Sequence, residues 1–386
     1  MAKAKTKEPT SVNDIFKNYA KRSGKFEIAD ESAALQDKGF IGTGSMALNS
    51  IMGGSLFKGV KKGGITAFAG RESTGKTFIC KSIIREAQKE GMGVIIFDTE
   101  GAYTNADLKK SGIKTDQILF QAADTVTNFQ VDCCNILKEL NEENPEMEWL
   151  VILDSLANLI TNKESEDTYK KGDPKSDQGQ RAKQLKAASR IIQKAVSSHN
   201  GTLVVTNHTY ESPGAYPGIP PEQIFSGGSG FLYMAHQIVF LKKYNEKEEI
   251  ATLEGAKKKK ESTGIRVTAI TKKNRCCPED KLVNFYINYK NGLLPYPGLL
   301  DYGAKYGFIE PQAAGWYFIP HLDKKVRGAA QVYSDEVWKP IVDKLNEKIE
   351  EDFAFPDAGN DALLADIEND ADELESEEKE KSLDED

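Results

Sequence analysis

At 386 residues, with 39% hydrophobic and 28% charged side chains, the chain has the balance of a soluble globular protein holding one large domain with appendages, or two. No apolar run approaches the roughly 20 residues that span a bilayer, and Met1–Lys7 lacks the apolar stretch of a secretory signal, so a cytoplasmic protein with no membrane partner is expected. The net charge of −8 averages two unlike parts: Glu350–Asp386 carries 17 acidic and 2 basic residues, a net of −15, which leaves +7 on residues 1–349.

A mildly basic body permits contact with a phosphate backbone, though +7 over 349 residues is a weak argument by itself. The five cysteines are Cys80 and the adjacent pairs Cys133-Cys134 and Cys276-Cys277. An odd count without CxxC spacing points to reduced thiols rather than a disulfide framework or a zinc site.

In chain order, residues 1–35 are polar and basic, with a helix-compatible stretch over Val12–Ala20. From about Phe40 to Tyr289, short apolar strands alternate with longer amphipathic segments. The strand candidates are Ile65–Ala69, Val94–Phe97, Leu150–Leu153, Thr202–Thr206, Ile238–Leu241, Ile265–Ile270 and Val283–Tyr289. The first four are near-continuous apolar runs, as parallel strands covered on both faces require. A helix is predicted over Thr77–Glu90, stopped by Gly91. The last strand alternates at Val283, Phe285, Ile287 and Tyr289 and ends at the Asn291-Gly292 turn signal. This order predicts an α/β fold with a mostly parallel, doubly wound sheet and antiparallel additions at its end. Beyond Gly292, an aromatic, Pro- and Gly-rich stretch leads to a helix predicted from Ser334, with apolar positions at Val337, Ile341, Leu345 and Ile349. The expected organisation is an N-terminal segment (1–35), an α/β core (36–292), a small C-terminal module (293–349) and an acidic tail (350–386) too poor in apolar residues to pack, hence disordered.

Gly70-Arg71-Glu72-Ser73-Thr74-Gly75-Lys76-Thr77 is G-x-x-x-x-G-K-T. Its glycines let backbone N–H groups curl around phosphates, and the helix after it points its positive end at them. Lys76 is placed to reach the β- and γ-phosphates and the Thr77 hydroxyl to ligate Mg²⁺. A chance match is disfavoured because an apolar strand precedes the motif and an amphipathic helix comes after it. Asp154 ends the buried run Leu150–Leu153, where a carboxylate can hold the Mg²⁺ shell; strand-ending aspartates also serve turns, and the upstream phosphate loop decides between the two. Glu100 comes after another apolar run in Asp98-Thr99-Glu100. It is either the group that polarises an attacking water or a solvated loop glutamate.

Gly42-Thr43-Gly44-Ser45-Met46-Ala47-Leu48-Asn49, Gly70–Thr77, Asp98-Thr99-Glu100, Asp154-Ser155, Asn207-His208 and Lys273-Asn274-Arg275 are similar in order and spacing to RecA recombinases. Gly298-Leu299-Leu300-Asp301 with Gly315-Trp316-Tyr317 is similar to the start of that family's C-terminal module. The resemblance covers about residues 40–320, and Arg181-Ala182-Lys183 with Arg190 resembles the phage branch most. What the resemblance implies is a RecA-like P-loop ATPase core, with ATP and Mg²⁺ as ligands and residues 1–35 serving polymerisation. Glu100 would activate water. His208 would sense the γ-phosphate in place of a glutamine, a change that brings a group titrating near neutrality. Lys273 and Arg275 would reach a neighbour's ATP as a finger in trans. The implied activity is DNA-dependent ATP hydrolysis in a helical filament on single-stranded DNA, with pairing and strand exchange against homologous duplex in recombination, repair and recombination-dependent replication. A recombination mediator, a single-stranded-DNA-binding protein and, for a phage-encoded chain, the cytoplasm of a bacterial host complete that picture.

The family's DNA loops fall on the polar stretch from Asn162 to about Gln178 and on His208–Gly230, which offers Tyr210, Tyr216 and Phe225 for stacking and Gly227 and Gly228 for close backbone approach. The second loop has no Lys or Arg. Positive charge would come from Lys183, Lys186, Arg190 and Lys194, one helical stripe opposite Leu185, Ala188, Ile192 and Ala195; without the resemblance, that stripe is an ordinary solvated face. The run Lys257–Lys260 is read as a solvated turn, with a DNA approach patch as the alternative reading of the same residues. A ring helicase or motor on the same core, or a non-hydrolytic single-strand-binding scaffold, are the competing readings. Lys76, Glu100 and Asp154 together count against the scaffold.

Overall fold

Nine strands run side by side in the central sheet of the computed structural model, which describes residues 11–32, 35–171, 178–211, 223–226, 229–245, 248–249, 260–261 and 263–355. They are β1 (Ile65–Gly70), β2 (Gly93–Asp98), β3 (Ile118–Ala122), β4 (Trp149–Asp154), β5 (Gly201–Glu211), β6 (Gln237–Asn245), β7 (Gly264–Asn274), β8 (Leu282–Asn288) and β9 (Gly292–Leu293). Their order across the sheet is β9-β8-β7-β6-β1-β5-β4-β2-β3. β3, β2, β4, β5, β1 and β6 run parallel. β7, β8 and β9 add on antiparallel.

The apolar runs make this arrangement because both faces of the parallel strands are buried. Phe68, Ile96, Leu150, Ile152 and Val204 enter the core on one face, while Ile65, Ala67, Ile95, Val151 and Val205 enter the core on the other. The period of two along each strand thus feeds two layers rather than one. β3 was not among the predicted strands. It is an edge strand in which Leu119 and Phe120 are exposed, so its composition carries no burial pattern. A three-stranded antiparallel sheet of Glu310–Gln312, Trp316–Ile319 and Lys324–Arg327 was likewise missed, because its strands are short and set in turn-rich sequence.

Six helices frame the site and its surroundings: α1 (Val12–Ser23), α2 (Met46–Gly53), α3 (Lys76–Lys89), α4 (Val126–Glu143), α5 (Gln178–Ser198) and α6 (Val342–Phe353). α1 is capped by Ser11 and closed by Gly24 in the left-handed region, yet buries no residue; Ile15 and Phe16 are more than half exposed. α2 is held over β6 and β7 by its last carbonyls. Gln237 Nε2 donates to Met52 O at 2.8 Å, and Asn274 Nδ2 donates to Ile51 O at 2.9 Å.

The single helix predicted from Ser334 is two. Pro340 has no N–H to give the carbonyl four residues back, so a short turn at Asp335–Trp338 ends there and α6 starts at Val342. Val337, Ile341, Leu345 and Ile349 are nonetheless all buried, because the break keeps them on the core side. Asn346 Oδ1 accepts from Ser55 Oγ (2.8 Å) and from the Leu56 amide (2.7 Å), which docks α6 on the loop after α2. α6 continues to the buried Phe353, four residues into the stretch whose charge marks it as tail. Residues 356–386 lie outside the described residues.

Trp338 is fully buried and stacks on Tyr296 with ring centroids 6.5 Å apart. Trp338→Ala should cost about 3–5 kcal/mol by cavity formation, read as a lower urea midpoint at unchanged slope. A loss under about 1 kcal/mol would show that residues 293–353 do not unfold together with the core.

Candidate active site

Parallel strands place their carboxyl ends along one edge of the sheet, and register sets which residues meet there. Gly70 of β1 pairs with His208 of β5, and Asp98 of β2 pairs with Asp154 of β4. The phosphate loop, the two strand-end aspartates and His208 therefore sit in one row.

Within the loop, Gly75 has φ 90°, and a Cβ there would lie 2.2 Å from Ile287 Cδ1. Glycine is required on both counts. Gly75 also precedes α3, whose first turn has no side-chain cap, so its amides are open to an anion. Lys76 is 7% exposed, and its Nζ donates to the carbonyls of Gly70 (3.1 Å) and Arg71 (3.0 Å). Burial lowers its pKa, against the opposing pull of Glu100 and Asp154. Thr74 Oγ1 donates to Arg71 O at 2.9 Å, and Ser73 takes φ 56°; together they close the loop's curve. Glu72 and Ser73 line the cleft with Lys76 and Thr77.

Asp154 is 1% exposed and surrounded by hydroxyls. Thr77 Oγ1 donates to its Oδ2 at 2.9 Å, Tyr103 Oη donates to the same oxygen at 3.0 Å, and Thr206 Oγ1 donates to Oδ1. Burial, then the nearby Cys80 and Asp154, pushes the Tyr103 hydroxyl well above its usual range, which keeps it a donor. Asp98 shapes the next loop by accepting from the amides of Glu100 (2.9 Å), Gly101 (2.9 Å) and Tyr103 (3.3 Å). That loop presents Glu100. Its Oε1 accepts from Ser155 Oγ at 2.6 Å and lies 3.0 Å from His208 Nε2. Burial raises the Glu100 pKa, but the Ser155 hydroxyl, His208 and the charge of Lys76 outweigh it and hold the carboxyl below its ordinary value. A carboxylate so held is ionised near neutrality and suited to orienting a water.

The cleft these residues bound has a volume of about 770 Å³ and is also lined by Ile265 and Tyr289. Its donor set fits a nucleoside triphosphate with Mg²⁺. The uncapped helix start and Lys76 suit phosphates, and Thr77 with Asp154 would hold the metal, which, when bound, neutralises charge developing on the phosphates. Tyr103, Ser155, Thr206 and Tyr289 were not predicted as site residues. Ser155 adjoins Asp154 in sequence and was within reach. The others come to the site only through the fold.

The remaining predicted residues lie elsewhere. Lys273 Nζ donates to the carbonyls of Leu232 (2.8 Å) and Tyr233 (2.9 Å), and Arg275 donates to Tyr233 O at 3.3 Å. Asn274 pairs with Gln237, which pairs with Thr66 near the start of β1, so this pair sits at the edge of the sheet opposite Gly70. Lys183, Lys186, Arg190 and Lys194 lie along α5, and Leu185, Ala188, Ile192 and Ala195 are buried beneath them. Tyr210 is exposed, whereas Phe225 is 3% exposed and stacked on Phe231 at 5.9 Å; in this conformation it offers no face to a base. Tyr216, Gly227, Gly228 and Lys257–Lys259 lie outside the described residues. The stretch read as one long loop from Asn162 is helical over Asn162–Lys171. Its signal was Thr161-x-x-Glu164, where each residue's side chain accepts from the other's amide. The stretch after His208 also has structure: β5 runs on to Glu211, and Gln223–Phe225 pairs back on it.

A family model described as the RecA N-terminal domain matches residues 9–294. The chain belongs to the RecA family. It is 28% identical over 307 residues to a Protein RecA from Leptospira meyeri, covering 80% of this chain and 72% of that protein. To a Protein RecA from Chlorobium chlorochromatii (strain CaD3) it is 28% identical over 314 residues, 81% and 82% of the two chains. To the Recombination and repair protein of Enterobacteria phage T4 it is 22% identical over 332 residues, 85% and 79% of the two. RecA-family proteins are in general DNA-dependent ATPases of recombination and repair that bind ATP with Mg²⁺. Among the described residues of this RecA-family chain, no helix is long and apolar enough to cross a membrane.

In this RecA-family site, Lys76→Ala should weaken nucleotide binding, whereas Glu100→Gln should bind nucleotide normally and lose about two to four orders of magnitude in turnover. Fluorescent-nucleotide binding and steady-state ATPase assays check both, and near-normal turnover by Glu100→Gln would remove Glu100 from the water-orienting role.

Proposed function

We propose that this protein hydrolyses ATP within a helical filament on single-stranded DNA and, in that assembly, pairs and exchanges homologous strands during recombination, repair and recombination-dependent replication. The observation that carries the reading is the contact between Glu100 and His208. His208 belongs to the same strand as Thr209–Glu211, whose pairing with Gln223–Phe225 brackets residues 212–222. A change at the γ-phosphate side of Glu100 is thereby one strand away from the segment assigned to DNA. The exposed Tyr210 and the basic stripe Lys183–Lys194 on α5 add stacking and phosphate contacts suited to a single strand.

Two features support assembly. α1 exposes Val12, Ile15 and Phe16, and the sheet's edge strand β3 exposes Leu119 and Phe120; each apolar face is of the kind a second copy covers. Lys273 and Arg275, on the edge away from their own phosphate loop, would face a neighbour's nucleotide in such a filament. Hydrolysis then depends on contact between subunits. Mixing Arg275→Ala with Lys76→Ala, each inactive alone, should restore part of the ATPase activity, since some interfaces join an intact loop to an intact finger. No recovery at any ratio, with co-assembly shown by cross-linking, would place each site within one subunit.

The acidic tail is assigned a competing role: residues 356–386 carry a net −12 against +4 on residues 1–355 and rival DNA for basic grooves. Deleting residues 350–386 would also cut α6, so removal of residues 356–386 is the cleaner test. It should raise affinity for duplex at low salt, and the gain should shrink as salt rises, because charge is screened over about 10 Å at 0.1 M. Identical binding curves at low salt would reduce the tail to a solubility device.

A further inference from the structure

Two of the three donors to Asp154 come from the β5 and β1 side of the sheet: Thr77 lies in the first turn of α3, after β1 and its loop, and Thr206 lies on the neighbouring β5. Tyr103 does not. It comes from the loop that carries Glu100, is 8% exposed, and crosses to Asp154 from the side of β2. The same residue is tied at both ends: its amide donates to Asp98 Oδ2 at 3.3 Å and its hydroxyl to Asp154 Oδ2 at 3.0 Å. Its ring is fixed between them by packing and by Lys81, whose Nζ lies 5.8 Å from the ring centroid and pairs with Asp107.

We propose that Tyr103 is a positioning residue for the metal-bearing carboxylate: its hydroxyl holds Asp154 in the orientation that receives Mg²⁺ and joins that carboxylate to the Glu100 loop. The inference rests on the reading of the cleft as a Mg²⁺-nucleotide site. A carboxylate offers about four acceptor positions. Thr77, Tyr103 and Thr206 occupy three, two on Oδ2 and one on Oδ1, which leaves the free position on Oδ1 and fixes the direction from which a metal-bound water is met. Thr77 also donates to Oδ2, but its oxygen would at the same time ligate the metal through a lone pair, so its position would be shared between carboxylate and metal. Thr206 bonds the other oxygen. Tyr103 is the Oδ2 donor that would take no part in metal ligation, so its hold on the carboxylate is independent of the metal. The strut also means that the segment from Asp98 to Tyr103, with Glu100 in its middle, is pinned at both strand-end aspartates.

Tyr103→Phe removes one oxygen and keeps the ring, so it isolates the hydroxyl. Binding of a fluorescent ATP analogue to the full chain is titrated with Mg²⁺, beside the same measurement in EDTA. The expected result is that the variant needs about tenfold more Mg²⁺ for half-maximal binding, the lower end of what loss of a metal site's supporting hydrogen bond costs, while binding in EDTA equals that of wild type. A purely structural tyrosine would lower both together or neither. A Mg²⁺ requirement within twofold of wild type would overturn the proposal, as would equal losses with and without metal. Loss of folding in Tyr103→Phe would overturn it too, since a hydroxyl that only aims a carboxylate is removable without unfolding the chain. Wild type lacking any Mg²⁺-dependent binding would instead overturn the reading of the cleft itself.

Discussion

The register of the parallel sheet is the constraint on which the site depends. Gly70 stands level with His208, and Asp98 with Asp154. These pairings are fixed by burial on both faces, because a slip of one residue would turn Phe68 or Ile152 toward the opposite layer and exchange the contents of the two cores. The precision of the polar row at the sheet edge is thus supplied by apolar contacts deeper in the strands. Catalytic geometry requires placement to within about half an ångström, and a strand packed on both faces can provide it where a solvent-exposed loop cannot.

Much of this was legible in the sequence, for a physical reason. A run such as Leu150–Leu153 ending in Asp154 is local, and both its burial and its terminal charge are visible within five residues. The phosphate loop is legible likewise, since Gly75 must be glycine by conformation and contact. What was not legible is whatever depends on distant strands meeting. Tyr103 and Asp154 are 51 residues apart, and His208 and Glu100 are 108 apart, so no spacing rule connects them. Other misses had local signals of the wrong kind. Leu119 and Phe120 are apolar but exposed at an edge, and Phe225, read as a stacking aromatic from its loop position, belongs to a short strand that folds back onto β5 into the core. The break at Pro340 has a local signal of its own in the missing donor, but the apolar spacing from Val337 to Ile349 runs across it uninterrupted and hides it.

The Glu100 carboxylate illustrates how hydrogen bonding divides the work of one side chain. Ser155 and His208 both meet Oε1, so Oε2 is the oxygen left for a water. Two donors on one oxygen lower the group's proton affinity and fix its plane. In the proposed reaction such a carboxylate would orient a nucleophile rather than strip it, which suits a transition state that is loose and needs little deprotonation of the incoming water. Because one of the two donors is carried by β5, any displacement of that strand alters the plane of Glu100 as well as its charge environment.

Charge supply then explains why a single chain is an incomplete catalyst in the proposed mechanism. Among the described residues lining the cleft, Lys76 is the one lysine or arginine, and its Nζ is engaged with two loop carbonyls. Transfer of a phosphoryl group spreads negative charge over three oxygens, more than one lysine and a metal can cover without a further cation. Lys273 and Arg275 are such cations, but they are bonded to the carbonyls of Leu232 and Tyr233 at the far edge of the sheet. No rotamer carries them along the length of their own sheet to the phosphate loop. Neutral carbonyls are weak partners for a guanidinium compared with a phosphate, so these bonds are exchangeable when a neighbour's nucleotide is presented. In the proposed mechanism, the unequal distribution of cations within one chain would make hydrolysis conditional on assembly.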